Sequence, residues 1–262
     1  MCSGADVEGC DVVEVGWGPV RVVAVHGIQG TRSTWLPLAD SMADTCTFVL
    51  PNLPGRGHAP RPRCPEDYTL DAFAALLRQT IADHAADGPF VLAGWSMGVS
   101  VVLAYLAMAR QTPSLPNPVG LVLVSGTPQL NAVQWFESFA PDPLLEEIAA
   151  REHRLGLREA ADHRSVAWTW RALRETDQRA GLCAIDCPTL IIHGSEDEDC
   201  PVSHAAAMAE KIPDAVLVVL DGAGHSVLTQ NTGEVAATLR AHWPHLTRRI
   251  SLTEQHAPLE TS

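Results

Sequence analysis

The sequence predicts an α/β fold, a mostly parallel, doubly wound sheet with a helical insertion in the second half of the chain. Short β-branched runs alternate with longer stretches rich in alanine and leucine, and this pattern is typical of parallel strands joined by crossover helices. The alternation is interrupted only once, by a long stretch without any strand pattern. The length of 262 residues suits one domain with an insertion better than two independent domains.

The predicted elements follow each other in regular order. Strands are expected where β-branched and apolar residues dominate short runs, at residues 20–25, 47–50, 90–93, 119–124, 189–193 and 216–220. Helices are expected between or after them, at residues 71–84, 97–110, 203–211 and 233–242. Residues 11–15 add a predicted antiparallel edge strand. The predicted core therefore comprises residues 1–126 and 184–246.

Residues 127–183 form the predicted insertion. They contain helical stretches at 144–153 and 165–174 and a concentration of aromatic residues, Trp135, Phe136, Phe139, Trp168 and Trp170. An aromatic helical insertion between two core strands is typical of a lid over a pocket. The alternative is a plain helical subdomain whose aromatic residues form its own core. Residues 247–262 are polar and aperiodic, which predicts a disordered tail.

Composition narrows the function classes. The net charge is −13 and the basic residues are scattered, which argues against nucleic acid or an anionic membrane surface as a partner. No apolar run approaches the ~18 residues of a membrane span, and no signal peptide is recognisable. Seven cysteines without a CxxC pair indicate reduced thiols in a cytoplasmic protein. Bonds between Cys2 and Cys10 or between Cys183 and Cys187 are the alternatives.

The sequence GWSMG at residues 94–98 carries the predicted nucleophile. It follows the apolar run 90–93 and opens a predicted helix. Such a sharp strand-to-helix turn forces Ser96 into a strained backbone conformation and exposes its hydroxyl, while the flanking glycines allow close approach. The amide of Met97, at the helix N-terminus, is placed to stabilise an oxyanion. The alternative is a serine that merely caps the helix.

Residues 90–98, FVLAGWSMG, resemble the nucleophile segment of the α/β-hydrolase superfamily, among its carboxylesterases and acyl-carrier methyl esterases. The resemblance covers roughly residues 10–245 and implies the α/β-hydrolase fold. Residues 25–30, VHGIQG, are similar to the family's loop that carries the second oxyanion donor. The resemblance therefore implies that the amide of Ile28 joins that of Met97 in an oxyanion hole.

The sequence PNLPGRGH at residues 51–58 resembles another turn of the family, with two departures. Asn52 stands where aspartate is usual, and Ala59 stands where serine is usual. Neither position is catalytic, so we expect the departures to affect only loop packing.

A serine hydroxyl needs a base to take its proton. His225 follows the last predicted strand in the sequence DGAGHS, where glycines let the loop bend back over the serine. It also matches the histidine position of the family. A third residue, a carboxylate, should orient the histidine, and the family pattern in GSEDEDCP selects Asp197. Glu196 and Asp199 remain alternatives.

Together these residues predict a serine esterase that acts through an acyl-enzyme on Ser96, without a cofactor. The expected substrate is a small carboxylic ester, thioester or lactone with an apolar acyl or aromatic group. The expected substrate pocket contains Trp95, Trp135, Phe136, Phe139 and Trp168. No metal is expected, because one cluster of candidate ligands fits no zinc or calcium spacing: Asp197, Asp199, Cys200 and His204. Two alternatives stay open: a non-hydrolytic lyase, cyclase or acyltransferase, and a binding receptor with an idle triad.

Overall fold

The computed structural model describes residues 11–250 of the chain. These residues form seven strands, β1 (Val12–Val15), β2 (Val20–Val25), β3 (Cys46–Pro51), β4 (Phe90–Trp95), β5 (Gly120–Val124), β6 (Thr189–Gly194) and β7 (Ala215–Leu220). They also form eight α-helices, α1 (Leu36–Ser41), α2 (Leu70–His84), α3 (Met97–Gln111), α4 (Pro141–Leu155), α5 (His163–Leu173), α6 (Val202–Lys211), α7 (Val227–Gln230) and α8 (Thr232–Leu246). Short 3₁₀-helices occur at Arg32–Thr34, Pro65–Tyr68, Leu130–Ala132 and Arg179–Ala184.

The strands lie in a single sheet in the order β1-β3-β2-β4-β5-β6-β7. β1 pairs antiparallel with β3, and every other pair is parallel. This arrangement confirms the predicted fold class and the antiparallel edge strand. The central strands are buried along their whole length, as expected for parallel strands covered by helices on both faces.

Helices cover the two faces of the sheet in separate groups. Along β4, Phe90 and Leu92 pack into one hydrophobic cluster, whereas Val91 and Ala93 pack into the other, because successive side chains point to opposite faces. Residues of α2, α3, α6 and the insertion belong to the first cluster. Residues of α1, α7 and α8 belong to the second. The sheet is therefore doubly wound, and the insertion shares the face of α2 and α3.

The insertion is helical, with α4 and α5 as its two main elements. Trp170 lies 5.5 Å from Trp135 and 5.7 Å from Phe136, measured between ring centroids. All three rings are buried and belong to the cluster that also contains the residues of α3. The aromatic side chains therefore pack against each other and extend the core of the α/β body.

The C-terminal helix runs further than expected. The sequence predicts its end at residue 242, ahead of Pro244, but α8 continues to Leu246. The fully buried side chain of Leu246 and the partly buried Ile250 pack in the second cluster, and this burial extends the order past the proline. Residues 247–250 of the predicted tail are thus placed, whereas residues 251–262 lie outside the described residues.

Cys183 and Cys187 are both unpaired thiols, in agreement with the expected reduced state. The alternative bond between Cys2 and Cys10 falls outside the part of the chain that the structure describes. Between residues 11 and 250, no helix is both long enough and apolar enough to cross a membrane.

Candidate active site

Ser96 lies at the sharp turn between β4 and α3. Its backbone has φ 56° and ψ −123°, a conformation that L-residues rarely adopt and that persists only where the surroundings enforce it. Glycines make the turn possible: a Cβ added at Gly98 would lie 2.2 Å from the carbonyl oxygen of Val25, and one at Gly94 would lie 2.5 Å from the backbone of Gly98. The strand-to-helix turn predicted from GWSMG is therefore present in the fold.

The structure brings together the three side chains predicted to act in catalysis. The Oγ atom of Ser96 lies 2.9 Å from Nε2 of His225, and Nδ1 of His225 lies 2.9 Å and 3.0 Å from the two carboxylate oxygens of Asp197. A carboxylate accepts hydrogen bonds, so Nδ1 donates to Asp197 and Nε2 keeps a lone pair for the serine hydroxyl. All three residues are buried, and Ser96 is only 1% exposed, so the expected exposure of its hydroxyl is wrong: the turn packs against the loop after β2.

Of the candidate carboxylates after β6, Asp197 is the one that contacts His225 and is held by backbone amides. The amides of Asp199 and Cys200 donate to its Oδ1 atom at 3.0 and 2.8 Å. Nε2 of His193 lies 3.3 Å from its Oδ2 atom. Glu196, one alternative, is exposed. Asp199, the other, is ion-paired with arginines of the insertion.

The loop after β2 lies directly against the serine turn. A Cβ at Gly27 would approach the Trp95 ring to 2.9 Å and the Cβ of Ser96 to 3.1 Å. Nε2 of the neighbouring His26 accepts from the Leu53 amide at 3.0 Å. Burial, and then the charge of Arg56, lowers the pKa of His26 to about 3. A neutral His26 thus organises the loop that carries Ile28.

Arg56 also holds the loop that carries Ile28. The side chain is fully buried, and its Nη2 atom donates to the carbonyl of Ile28 at 2.6 Å and to Thr169 of α5 at 3.2 Å. Burial lowers the pKa of Arg56 to about 10. The predicted oxyanion loop, its neighbouring turn and the insertion are therefore joined by one guanidinium group.

The five aromatic residues predicted to line a pocket lie in different surroundings. Trp135 and Phe136 are buried beneath α4 and α5. Trp168 is half-buried, packs against Tyr68 at 5.4 Å between ring centroids and borders a small surface cavity of about 180 Å³.

Trp95 and Phe139 differ from the prediction. Trp95 continues the Val91–Ala93 side of β4 and packs in the cluster on the far face of the sheet, because side chains alternate along a strand. Its indole nitrogen donates to the carbonyl of His225 at 3.1 Å, so Trp95 supports the histidine loop from below. Phe139 is 65% exposed, and the guanidinium of Arg174 lies 3.8 Å from its ring centroid.

Two polar residues that were not predicted from the sequence, Arg151 and Gln29, join α4 to the loops after β2 and β6. Arg151 donates from Nε to Asp199 at 2.9 Å and from Nη1 to the side chain of Gln29 at 2.6 Å. Gln29 in turn donates to the carbonyl of Ile148 at 2.8 Å. The signal for Arg151 was available, because Leu144, Ile148 and Arg151 share the i, i+4, i+7 spacing of a buried helix face.

Asp197, Asp199 and His225 form a cluster that resembles a metal site, because one potential ligand atom of each lies within 4.8 Å of the others. Its chemistry does not suit a cation, since two arginines already neutralise Asp199 and backbone amides occupy Asp197. A cavity of about 710 Å³ lies away from these residues, at the far end of α3 beside Arg110. None of the predicted site residues lines it.

Residues 22–238 match the family profile described as "Alpha/beta hydrolase family". The chain therefore belongs to the alpha/beta hydrolase family, in agreement with the sheet order and the serine turn. Among its relatives is a pimeloyl-[acyl-carrier protein] methyl ester esterase of Stenotrophomonas maltophilia, 28% identical over 256 residues, 86% of this chain and 93% of that protein. The corresponding esterase of Aromatoleum aromaticum is 26% identical and spans 83% of this chain and 96% of its own. These relationships identify an enzyme of the carboxylesterase type.

Other similarities extend beyond these esterases. Polyketide synthase ThaQ of Burkholderia thailandensis is 28% identical over 83% of this chain but only 11% of its own length. A thermophilic esterase from Thermogutta terrifontis superposes with a TM-score of 0.73 at 23% identity, over 90% of this chain and 93% of that one. The esterase EaEST from Exiguobacterium antarcticum gives 0.72 at 21% identity, over 88% and 94%. At these identities the two structures show the shared fold.

Proposed function

We propose that this protein is a serine esterase that cleaves a carboxylic ester through an acyl-enzyme on Ser96. The observation that carries the proposal is the 2.9 Å contact between the Ser96 hydroxyl and Nε2 of His225, with Asp197 on the opposite ring nitrogen. This order of contacts matches the requirements of nucleophilic catalysis, because the base is within reach of the hydroxyl proton and a carboxylate fixes its tautomer.

The reaction proceeds in two halves. In the first, His225 takes the hydroxyl proton while Oγ of Ser96 attacks the ester carbonyl, and the resulting oxyanion accepts hydrogen bonds from the amides of Ile28 and Met97. Each such donor contributes about 3 kcal/mol to the transition state in comparable sites. The C–O bond to the leaving alcohol then breaks, and protonated His225 supplies the alcohol's proton.

In the second half, the acyl group leaves Ser96. His225 takes a proton from water, and the oxygen of that water attacks the acyl carbonyl. The same two amides hold the second oxyanion, and the serine oxygen departs with the proton from His225. The products are an acid and an alcohol, and the enzyme returns to its starting protonation state.

The acyl group is expected to be apolar, because the aromatic insertion lies beside the site, where the indole nitrogen of Trp135 donates to the carbonyl of Asp199 at 2.9 Å. The relatives named for pimeloyl-[acyl-carrier protein] methyl esters make methyl esters of acyl chains, free or carrier-linked, the first natural class to test. Thioesters and lactones offer the same carbonyl and come next. The predicted absence of nucleic acid and membrane partners, and the predicted cytoplasmic location, remain predictions from composition.

The test is a series of p-nitrophenyl esters from acetate to dodecanoate, with matched methyl esters, on the wild-type protein and on Ser96→Ala. A fluorophosphonate probe reports the activated serine independently of substrate choice. The proposal requires labelling and turnover in the wild type and neither in Ser96→Ala. If the serine is labelled but every ester is left intact, the substrate class is wrong, and product analysis with thioesters and lactones separates hydrolysis from acyl transfer or cyclisation. A wild-type protein that neither reacts with the probe nor turns over esters contradicts the triad assignment.

A further inference from the structure

A second carboxylate lies beside the histidine of the site. A carboxylate oxygen of Asp199 is within 4.8 Å of a ring nitrogen of His225, as is one of Asp197. Asp199 is 6% exposed, and it makes no hydrogen bond to the imidazole among the described contacts. His225 therefore faces two buried carboxylates, of which only Asp197 orients it.

The insertion supplies the countercharge for this extra carboxylate. Arg151 donates to Asp199 at 2.9 Å, and Arg154, one turn further along α4, donates at 2.8 and 3.3 Å. Arg151 is 5% exposed, and its guanidinium lies 5.4 Å from the ring centroid of Trp135 and 5.7 Å from that of Phe136. Arg154 is half exposed.

The ionisation states of these groups are well defined. Burial alone raises the pKa of Asp199, but Arg151 and the other neighbouring positive charges lower it to about 2. Asp199 is therefore an anion at neutral pH. The pKa of Arg151 is lowered by burial and raised by Asp199, and a guanidinium remains charged throughout the working range.

Few other charges surround the imidazole. His193 approaches from the end of β6, and burial lowers its pKa. Its Nε2 atom donates to the Cys200 carbonyl at 2.7 Å, and its lowered pKa disfavours a charge on the ring. Glu196 and Glu198, in the same loop as Asp199, are exposed, where solvent screens them. From α4, the charges that reach this site are those of Arg151 and Arg154, which pair with Asp199.

We propose that the Arg151–Asp199 ion pair is a positioning and charge-balancing element for the base of the esterase, by which the insertion sets the pH range in which His225 accepts the proton of Ser96. The inference rests on the proposed function, since it needs His225 as the base. A carboxylate within about 6 Å of an imidazole favours the imidazolium, and a cation at similar range disfavours it. Arg151 offsets the charge of Asp199, so His225 stays available as the base.

The two halves of the pair have opposite charges, and removing each one should therefore move the pH profile in opposite directions. The rate of fluorophosphonate labelling of Ser96 is measured from pH 4.5 to 9, and the midpoint of its acidic limb is compared. Asp199→Asn is expected to lower the midpoint by about one pH unit, and Arg151→Met to raise it by about as much. The double variant Arg151→Met/Asp199→Asn should return close to the wild type.

Two further variants complete the design. Arg154→Gln removes a half-exposed charge from the same carboxylate and should raise the midpoint by a smaller amount, which also tests the idea if Arg151→Met does not fold. Asp177→Asn removes an exposed carboxylate paired with Arg179 elsewhere in the insertion, and it should leave the midpoint unchanged.

The outcomes separate this inference from the proposed function. Unshifted midpoints, or shifts of the same sign, in folded Asp199→Asn and Arg154→Gln proteins that still label would overturn the ion pair's role and leave the serine esterase intact. If the variants label more slowly but the midpoint of the pH profile does not change, the ion pair is purely structural and the inference is wrong. If the wild-type protein does not react with the fluorophosphonate at all, the proposed function itself is wrong.

Discussion

The turn that carries Ser96 and the helix that carries Arg151 both contact the candidate site, but different forces hold them in place. Backbone packing confines the turn, because Gly98 lies so close to β2 that a methyl group would overlap the carbonyl of Val25. Side chains confine the helix, through ionic and hydrogen bonds from Arg151 to Asp199 and Gln29. The serine turn is thus held by close backbone packing and the helix by charged side chains, and the two regions should respond differently to substitution, salt and pH.

The largest expected effect is on the charged side of this comparison. Arg151→Ala leaves Asp199 buried with only the half-exposed Arg154 as partner, and breaking a buried pair typically costs about 3–5 kcal/mol. We expect the free energy of unfolding in urea to fall by that order. Arg179→Ala, in an exposed pair with Asp177, is the matched control and should leave the free energy of unfolding nearly unchanged, because solvent screens exposed ion pairs. Equal losses in both variants would contradict a special role of the buried pair.

The turn is tested by a single methyl group. Gly98→Ala introduces a Cβ 2.2 Å from a backbone oxygen, and such overpacking should cost about 3 kcal/mol and reduce labelling of Ser96. Gly233→Ala is the control, because Gly233 lies in α8 with no atom within 4 Å of an added Cβ. That change should stabilise the protein by about 0.5–1 kcal/mol. A stable, fully reactive Gly98→Ala protein would show that the turn can relax.

Acid should loosen the charged contact and leave the turn unaffected. The pKa of Asp199 is lowered to about 2 from its ordinary value of 3.8, so its contribution to stability is present above about pH 4 and is lost as the pH falls through about 2. The contribution amounts to about 2 kcal/mol. Urea unfolding at pH 5 and pH 2.5 should show a smaller acid loss in Asp199→Asn than in the wild type. An identical acid loss in both proteins would mean that other carboxylates dominate.

The smallest effect should come from an aromatic residue at the rim of the insertion. Phe139 is 65% exposed, so Phe139→Ser should change the unfolding free energy by less than about 0.5 kcal/mol and leave the preference for acyl length unchanged. Phe136→Ala, in the buried cluster, should cost about 3–5 kcal/mol. A changed acyl-length preference in Phe139→Ser would place that side chain on the substrate's route.

The α/β body could be predicted from sequence because its signals are local. Each strand is a short β-branched run. Ser96 and His225 each follow a strand, and the glycines beside them indicate a tight bend. The same locality explains the limits at α8. The local sequence predicts an end at residue 242, whereas the burial of Leu246 against distant residues extends the helix.

The contacts of the insertion are harder to predict, because they join residues that are distant in sequence. Arg151 meets Gln29 across 122 positions, and no local pattern pairs them. Trp95 could have been placed from the alternation along β4, since it continues the side of Val91 and Ala93. Phe139 gives no such signal: it lies outside any strand or helix, is 65% exposed and contacts Arg174, which follows α5.

The burial of Ser96 has a consequence for every rate measured on this protein. If the insertion must move aside before an ester or probe can reach Ser96, of which only 1% is exposed, then only the opened fraction of molecules reacts. Apparent affinities are weakened by that fraction, equally for all compounds that use the same opening. Absolute rate constants will therefore understate the reactivity of the serine, while ratios between two acyl chains report the pocket itself.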